Sequence, residues 1–75
     1  MRNHVKAMRE AGSLTQEQLA VKLGVSRQTI ISIETGKYNP SLMLAHKIAS
    51  VFGKTIEEVF DFSEAEEREG GKGNE

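Results

Sequence analysis

The feature that most constrains the fold is the spacing of small, turn-forming and apolar residues between positions 15 and 36. Ala20 is small enough for a second helix to cross close above it. Gly24, four residues later, suits the left-handed backbone of a tight corner, where a Cβ would cost energy. Ile30 and Ile33 lie one helical turn apart and can anchor the second helix on a core. The stretch therefore predicts two short helices that cross at a tight turn.

Packing Ile30 and Ile33 inward leaves the opposite side of that second helix exposed. The residues predicted to face outward are Arg27, Gln28, Ile31 and Ser32. A face of this kind, on the second helix of such a pair, is typical of proteins that read double-stranded DNA in the major groove. Ile31 has two interpretations, because it would either touch a thymine methyl group or be a partly shielded surface isoleucine.

The charge of the chain is divided along its length. Residues 1–54 contain eight Lys or Arg and three acids, whereas residues 55–75 contain eight acids and two bases. These parts carry +5 and −6, although the net charge of the whole chain is only −1. The first part therefore has the positive field that phosphate binding requires.

The sequence lacks the residue sets that enzymes and metal sites need. It contains no cysteine, which excludes disulfides and cysteine-based zinc sites. His4 and His46 are far apart and have no carboxylate at a ligand spacing, so we expect no metal and no cofactor. No nucleophile–base pair, carboxylate pair or phosphate-binding glycine loop stands out, so we expect neither catalysis nor a small-molecule ligand. No apolar run reaches the ~20 residues of a membrane span, so we expect a cytoplasmic, soluble protein.

Start and stop signals divide the chain into five predicted helices. A glycine follows each of four segments with helical periodicity, and these glycines are Gly12, Gly24, Gly36 and Gly53. The residue before Pro40 is pushed out of the helical region, which separates the third helix from the fourth. The first helix is expected to begin at Arg2 or Asn3. The predicted helices span about 2–11, 16–23, 27–35, 42–52 and a short segment that begins at 56.

Polar residues at the predicted helix starts have the spacing of N-caps. Thr15 and Gln18 are three residues apart, as in a capping box, and Thr55 and Glu58 repeat this spacing. Two serines are further N-cap candidates, Ser26 and Ser41. The fourth helix has a predicted apolar stripe of Leu42, Ala45, Ile48, Ala49 and Phe52.

The end of the predicted domain has two interpretations. Phe60 and Phe62 alternate with Asp61 in a period of two, which is typical of a strand. This segment would either pair with the first few residues as a small two-stranded ribbon, which we favour, or form the frayed end of the fifth helix. Residues 63–75 contain five acids, three glycines and no large apolar residue. We therefore expect a folded domain over 1–62 and a disordered acidic tail over 63–75.

Two long stretches of the chain, LTQEQLAVKLGVSRQTIISIETGKYNPSL and LAHKIASVFGKTIEEVF, match a known family pattern. Residues 4–60 resemble the Cro/CI-type (phage-repressor, XRE-like) helix-turn-helix family, and closely resemble its small stand-alone members. The match includes both the two-helix motif and its scaffold. It implies an all-α, compact five-helix, lambda-repressor-like domain that controls transcription, usually by repression, and binds an operator as a homodimer.

The resemblance also implies roles for individual residues. Base contacts are implied for Arg27, Gln28, Thr29 and Ser32; arginine can bind guanine, and glutamine adenine, through two hydrogen bonds. Phosphate contacts, which orient the protein without specifying sequence, are implied for Gln16, Lys37, Tyr38 and Asn39. A buried ion pair is implied between Arg9 and Glu34, for which the alternative is two unpaired surface charges.

The sequence does not mark a dimer interface. Two copies related by a twofold axis would place their third helices about 34 Å apart on an inverted repeat. Our candidates for the interface are the apolar residues around the fifth helix, Val51, Ile56, Val59, Phe60 and Phe62. The alternative is that most of these side chains complete the core of the monomer.

Two other functions stay open at this point. An antitoxin or the controller of a restriction system would still bind DNA, but a protein partner or a neighbouring gene would define its role. A protein-interaction module that has lost DNA binding is the third function. It predicts that the third helix has lost basic and amide residues, whereas Arg27, Gln28 and Lys37 are present.

Overall fold

The computed structural model describes residues 2–63, which contain five α-helices. They are α1 (Val5–Ala11), α2 (Gln16–Leu23), α3 (Arg27–Glu34), α4 (Leu42–Phe52) and α5 (Ile56–Val59). The prediction of an all-α, five-helix domain is confirmed. None of these helices is long and apolar enough to cross a membrane. The predicted acidic tail lies outside the described residues, apart from Ser63.

Side-chain caps begin four of the five helices. At α2, Thr15 Oγ1 accepts from the Gln18 amide while the Gln18 side chain accepts from the Thr15 amide, so the predicted capping box is present. Thr55 and Glu58 form the same reciprocal pair at α5. The two single caps are also confirmed, at Ser26 for α3 and Ser41 for α4. Local sequence therefore fixes where α2 to α5 begin.

Two predicted helix boundaries differ from the structure. Helix α1 begins at Val5 rather than at Arg2 or Asn3, because Asn3 is in an antiparallel bridge and its Oδ1 accepts from the Val5 amide. Helix α3 ends one residue earlier than predicted. Thr35 is its C-cap, and the Thr35 hydroxyl donates to the carbonyls of Ile31 and Ser32.

The two ends of the described chain meet beside α5. Asn3 and Phe60 form an isolated antiparallel bridge. The His4 amide donates to the Val59 carbonyl at 2.8 Å, and the Asp61 amide donates to the Arg2 carbonyl at 2.9 Å. This single bridge does not confirm the predicted two-stranded ribbon. Phe60 is only 2% exposed, and Phe62 packs partly buried against the same core.

All five helices contribute to one hydrophobic core. Its buried members are Val5, Leu19, Ala20, Leu23, Ile30, Ile33, Ala45, Ile48, Ala49, Val59 and Phe60. The predicted stripe of α4 is wrong at Leu42, which is 75% exposed at the first position of the helix. Leu44, two residues later, packs against the core instead.

The turn between α2 and α3 depends on Gly24. Its φ of 73° and ψ of 31° lie in the left-handed region, which a residue without a Cβ adopts at little cost. The Val25 amide donates back to the Ala20 carbonyl at 3.0 Å, which closes the end of α2. Ala20 is buried, so its small side chain lets the two helices cross closely. This corner sets the direction in which α3 leaves α2.

Candidate nucleic-acid interface

The outward face of α3 results from the burial of its opposite side. Ile30 and Ile33 are both 0% exposed and fix the rotation of α3 about its axis. Arg27 and Gln28 are consequently exposed in the first turn of the helix, and Ser32 is half-buried one turn later. Thr29 is half-buried as well, so all four residues for which base contacts were predicted stay at least partly accessible on α3.

The fourth residue, Thr29, is tied to the start of its own helix. Its hydroxyl lies 3.0 Å from Ser26 Oγ, and its amide donates to the same oxygen at 3.2 Å. Thr29 therefore has an intramolecular partner before it meets any ligand. Ile31 is half-buried, so part of its side chain stays accessible, beside Ser32 in the sequence and three residues after Gln28.

The loop that follows α3 folds back onto the helix. The amides of Lys37 and Tyr38 both donate to the Ser32 carbonyl, at 3.0 and 3.1 Å. Tyr38 is 45% exposed, and Lys37 and Asn39 are exposed beside it. One shallow depression is lined by Ser26, Gln28, Thr29, Ser32 and Tyr38. The helix and the loop therefore form one continuous surface.

Glu34 joins three helices at the end of α3. Its Oε2 accepts from Arg9 Nε at 2.7 Å, and its Oε1 accepts from Arg9 Nη2 at 3.3 Å. The side-chain amide of Gln16, at the start of α2, donates to Oε1 at 3.2 Å. Arg9 Nη1 also donates to the Leu14 carbonyl at 2.8 Å. These bonds hold α1, α2 and α3 in fixed relative positions.

The ion pair of Arg9 and Glu34 is buried. The two side chains are only 9% and 4% exposed, so they are not separate surface charges. The hydrogen bond to Glu34 raises the pKa of Arg9 further above its already high ordinary value, against an opposing effect of burial. Arg9 therefore stays charged. Each of the two charges compensates for the water that the other loses on burial.

This pairing determines the charge of the outward surface. Glu34 is the only acid in α3 and the loop that follows it, and Arg9 neutralises it. The charges that stay exposed there are those of Arg27 and Lys37, so the surface is positive. Within residues 2–63 no group of three or more His, Cys, Asp or Glu side chains could hold a metal ion.

The residues predicted for a dimer interface divide into two groups. Val59 and Phe60 are buried in the core of the monomer, so they offer no surface to a partner. Val51 is 37% exposed, and Ile56 and Phe62 are half-buried. The exposed part of the predicted interface is therefore reduced to Val51, Ile56 and Phe62.

The structure adds one residue to this region that the sequence did not indicate. Asn3 Nδ2 donates to the Ile33 carbonyl of α3 at 2.8 Å. The two residues are 30 positions apart. No capping or periodicity signal relates positions so distant, so only the tertiary structure reveals the contact.

Comparison with known proteins covers the same part of the chain. A sequence model of the helix-turn-helix family matches residues 5–59, which include every helix described above. An uncharacterized HTH-type transcriptional regulator of Methanocaldococcus jannaschii is 59% identical over 66 residues, which are 88% of this chain and 100% of the relative. The similarity therefore extends over the full length of a small regulator.

Two further relatives carry more specific names. The control protein C.MunI of a Mycoplasma species is 38% identical over 65 residues, which are 85% of this chain and 88% of that protein. The immunity repressor protein of Bacillus phage phi105 is 43% identical over 49 residues. Those residues are 65% of this chain but 34% of the phage repressor, so that likeness concerns one part of a longer protein.

Proposed function

The chain belongs to the helix-turn-helix family, and from that premise we propose that it is a sequence-specific DNA-binding regulator that represses transcription as a homodimer. The observation that carries this proposal is the outward face of α3, the recognition helix. Arg27 and Gln28 are exposed there while Ile30 and Ile33 are buried, and the loop after the helix extends the same positive surface. A helix presented in this way can enter the major groove of DNA.

We assign base recognition first to Arg27 and Gln28, because both are exposed in the first turn of α3. Arginine can donate two hydrogen bonds to guanine O6 and N7, and glutamine can pair with adenine N6 and N7. Thr29 and Ser32 have shorter side chains and are half-buried. We therefore assign them only secondary contacts in the same groove.

We assign phosphate contacts to the loop after α3 and to the start of α2. Lys37 and Tyr38 are held by the Ser32 carbonyl, so their positions follow that of the recognition helix. Asn39 is exposed next to them, and the Gln16 side chain is bonded to Glu34 at the end of α3. Contacts of this kind fix the orientation of the protein on the duplex, and those of the charged residues release counterions.

The homodimer is proposed because one recognition helix makes few base contacts. A mismatched base pair costs roughly 1–3 kcal/mol, so a single copy discriminates weakly among the sites of a genome. Two copies about a twofold axis would read an inverted repeat with half-sites about 34 Å apart. The surface around Val51, Ile56 and Phe62 is our candidate for the contact between them.

The test of this function is a fluorescence-anisotropy titration. The duplex is selected from a random DNA pool with the full-length protein, and a scrambled duplex of equal composition is the control. We expect the selected duplex to bind at least ~10³-fold more tightly, with affinity that falls steeply as salt rises. We also expect two protein chains per duplex. Equal binding of both duplexes at every salt concentration would contradict the proposal.

A controller of a restriction system is the second candidate. It is favoured by the likeness to the control protein C.MunI, which extends over 85% of this chain. Both candidates predict operator binding, so a transcription assay has to separate them. If the protein is a repressor, a reporter placed behind the selected operator should be repressed and never activated. Activation of the reporter would favour the controller.

A further inference from the structure

The N-terminal segment makes a direct connection to the recognition helix. Asn3 Nδ2 donates to the Ile33 carbonyl at 2.8 Å, while Asn3 Oδ1 accepts from the Val5 amide at 3.1 Å. Both atoms of one side-chain amide are therefore used. The Asn3 side chain links the first turn of α1 to the last turn of α3.

The backbone of Asn3 is itself held in place. Asn3 forms the antiparallel bridge with Phe60, and hydrogen bonds from His4 to Val59 and from Asp61 to Arg2 lie on either side of it. Phe60 is 2% exposed and belongs to the core. Because the bridge is anchored in the core, the Asn3 amide meets α3 from a fixed position.

The carbonyl that Asn3 contacts lies where α3 ends and the following loop begins. The last carbonyls of a helix lack partners within the helix, so other donors decide how the chain leaves it. The Ile33 carbonyl accepts from the Gly36 amide as well as from Asn3. The neighbouring Ser32 carbonyl accepts from Lys37 and Tyr38. A change in the position of Ile33 would therefore also move the loop.

We infer that Asn3 is a positioning residue for DNA recognition, which acts by holding the junction between α3 and its loop through the hydrogen bond to Ile33. This inference rests on the proposed function, because it concerns the geometry of the proposed DNA-binding surface. Adjacent residues of α3 are then held from two sides. Glu34 is held by side chains of α1 and α2, and Ile33 is held by the side chain of Asn3, whose backbone bridges to Phe60.

Three variants separate this role from a general loss of stability. Asn3→Asp keeps an acceptor for the Val5 amide but replaces the donor to Ile33 by an oxygen. Asn3→Ala removes both hydrogen bonds without adding a charge. Thr55→Ala is the matched control, because it removes the N-cap of α5, and the Thr55 side chain bonds to Glu58 of that helix. All are compared in the full-length protein, under conditions where circular dichroism shows each to be fully folded.

The first readout is amide hydrogen exchange, which requires no DNA. We expect both Asn3 variants to speed exchange at Gly36, Lys37 and Tyr38 about fivefold relative to the core amides of α4, as for the loss of one hydrogen bond. Thr55→Ala should leave that ratio unchanged. An unchanged ratio in both Asn3 variants would overturn the inference.

The second readout is affinity for the selected and the scrambled duplex. We expect both Asn3 variants to bind the selected duplex about fivefold more weakly, with little change for the scrambled one. If only Asn3→Asp binds more weakly, repulsion between its carboxylate and phosphate explains the loss, and the positioning role is wrong. If the wild-type protein prefers no selected duplex, the proposed function fails, while the exchange ratio still decides whether Asn3 holds the loop.

Discussion

Gln16 on α2 and Glu34 on α3 are joined by a hydrogen bond of 3.2 Å, made to the same carboxylate oxygen that accepts from Arg9 Nη2. One buried carboxylate thus connects the recognition helix to both helices that precede it. The exposed face of α3 carries the residues that we propose to read DNA. Its orientation therefore depends on polar contacts at the opposite end of the helix.

Arg9→Met should destabilise the domain strongly. The Glu34 carboxylate is 4% exposed, so it would be left as a buried charge without its main partner. The expected loss is roughly 3–5 kcal/mol in the free energy of unfolding, measured by urea denaturation. The double variant Arg9→Met/Glu34→Leu should lose less than this, because no unpaired charge remains. A single variant that costs under about 1 kcal/mol, as an exposed pair would, contradicts the burial of this pair.

Two glycines at helix ends should respond in opposite directions to alanine. Gly24 has a φ of 73°, so Gly24→Ala is expected to cost roughly 1–2 kcal/mol although no atom would lie within 4 Å of the new Cβ. Gly12 has a φ of −90°, and its new Cβ would lie 3.6 Å from the Met8 carbonyl oxygen, an ordinary contact. Gly12→Ala should therefore stabilise the domain by about 0.4–1 kcal/mol, because alanine lowers the conformational entropy of the unfolded chain.

Thermal unfolding of both variants measures this difference. Gly24→Asn provides a further control, because asparagine tolerates the left-handed conformation better than alanine. It should lie between the wild type and Gly24→Ala. Equal effects of alanine at Gly12 and Gly24 would show that the backbone conformation at the corner does not determine the cost.

The capping box of α5 predicts a dependence of stability on pH. The hydrogen bond from the Thr55 backbone lowers the pKa of Glu58 below its ordinary value, so folding favours the carboxylate form. The contribution is therefore complete above the unfolded pKa of Glu58 and is lost as pH falls through the lower folded pKa. Glu58→Gln lacks this titration, so its stability should fall less than that of the wild type as pH drops through the pKa of Glu58.

Glu57→Gln is the control for this experiment. Glu57 is also exposed on α5 but lies outside the capping box. Denaturation curves are recorded for both variants and the wild type across the same pH range. The pH dependence of stability should be weaker in Glu58→Gln than in Glu57→Gln. If the two variants change the pH dependence equally, the general loss of negative charge is responsible and the capping box is not.

The proposed dimer surface predicts a site-specific effect on association. Val51 is 37% exposed on α4, near the end that leads to α5, and Val51→Asp would place a charge in the proposed contact. Val21→Asp makes the same substitution at a residue of α2 that is 71% exposed. In sedimentation at micromolar concentration, Val51→Asp should be monomeric, whereas the wild type and Val21→Asp should be dimeric. A wild type that sediments as a monomer of 8.3 kDa would contradict the dimer.

Local signals in the sequence predicted much of this fold. Thr15 and Thr55 mark helix starts through bonds to residues three positions away, and a spacing of this kind can be read directly. The burial of Ile30 and Ile33 follows from helical periodicity, as does the outward position of Arg27. These features depend only on neighbours along the chain, so a single sequence contains them.

The features that were not predicted depend on distant parts of the chain. Leu42 fits the apolar period of α4, but the core does not reach the first position of that helix. Helix α1 begins late because Asn3 pairs with Phe60, which is 57 positions further along the chain. The bond from Asn3 to Ile33 has the same origin. Only the packed structure brings these residues together.

The central claim is that the exposed side chains of α3 read base edges, and binding to a panel of altered operators tests it most directly. Each base pair of the selected duplex is replaced in turn, and affinities are measured for the wild type, Arg27→Ala, Gln28→Ala and Lys47→Ala. Lys47 is an exposed lysine on α4. Its replacement is the control for the loss of one positive charge.

We expect Arg27→Ala and Gln28→Ala each to lose discrimination of roughly 1–3 kcal/mol at one base pair per half-site, and at a different position for each residue. Lys47→Ala should leave the pattern of preferences unchanged. If Arg27→Ala and Gln28→Ala weaken binding equally at every position of the panel, their side chains do not read bases, and the account of the recognition helix is wrong.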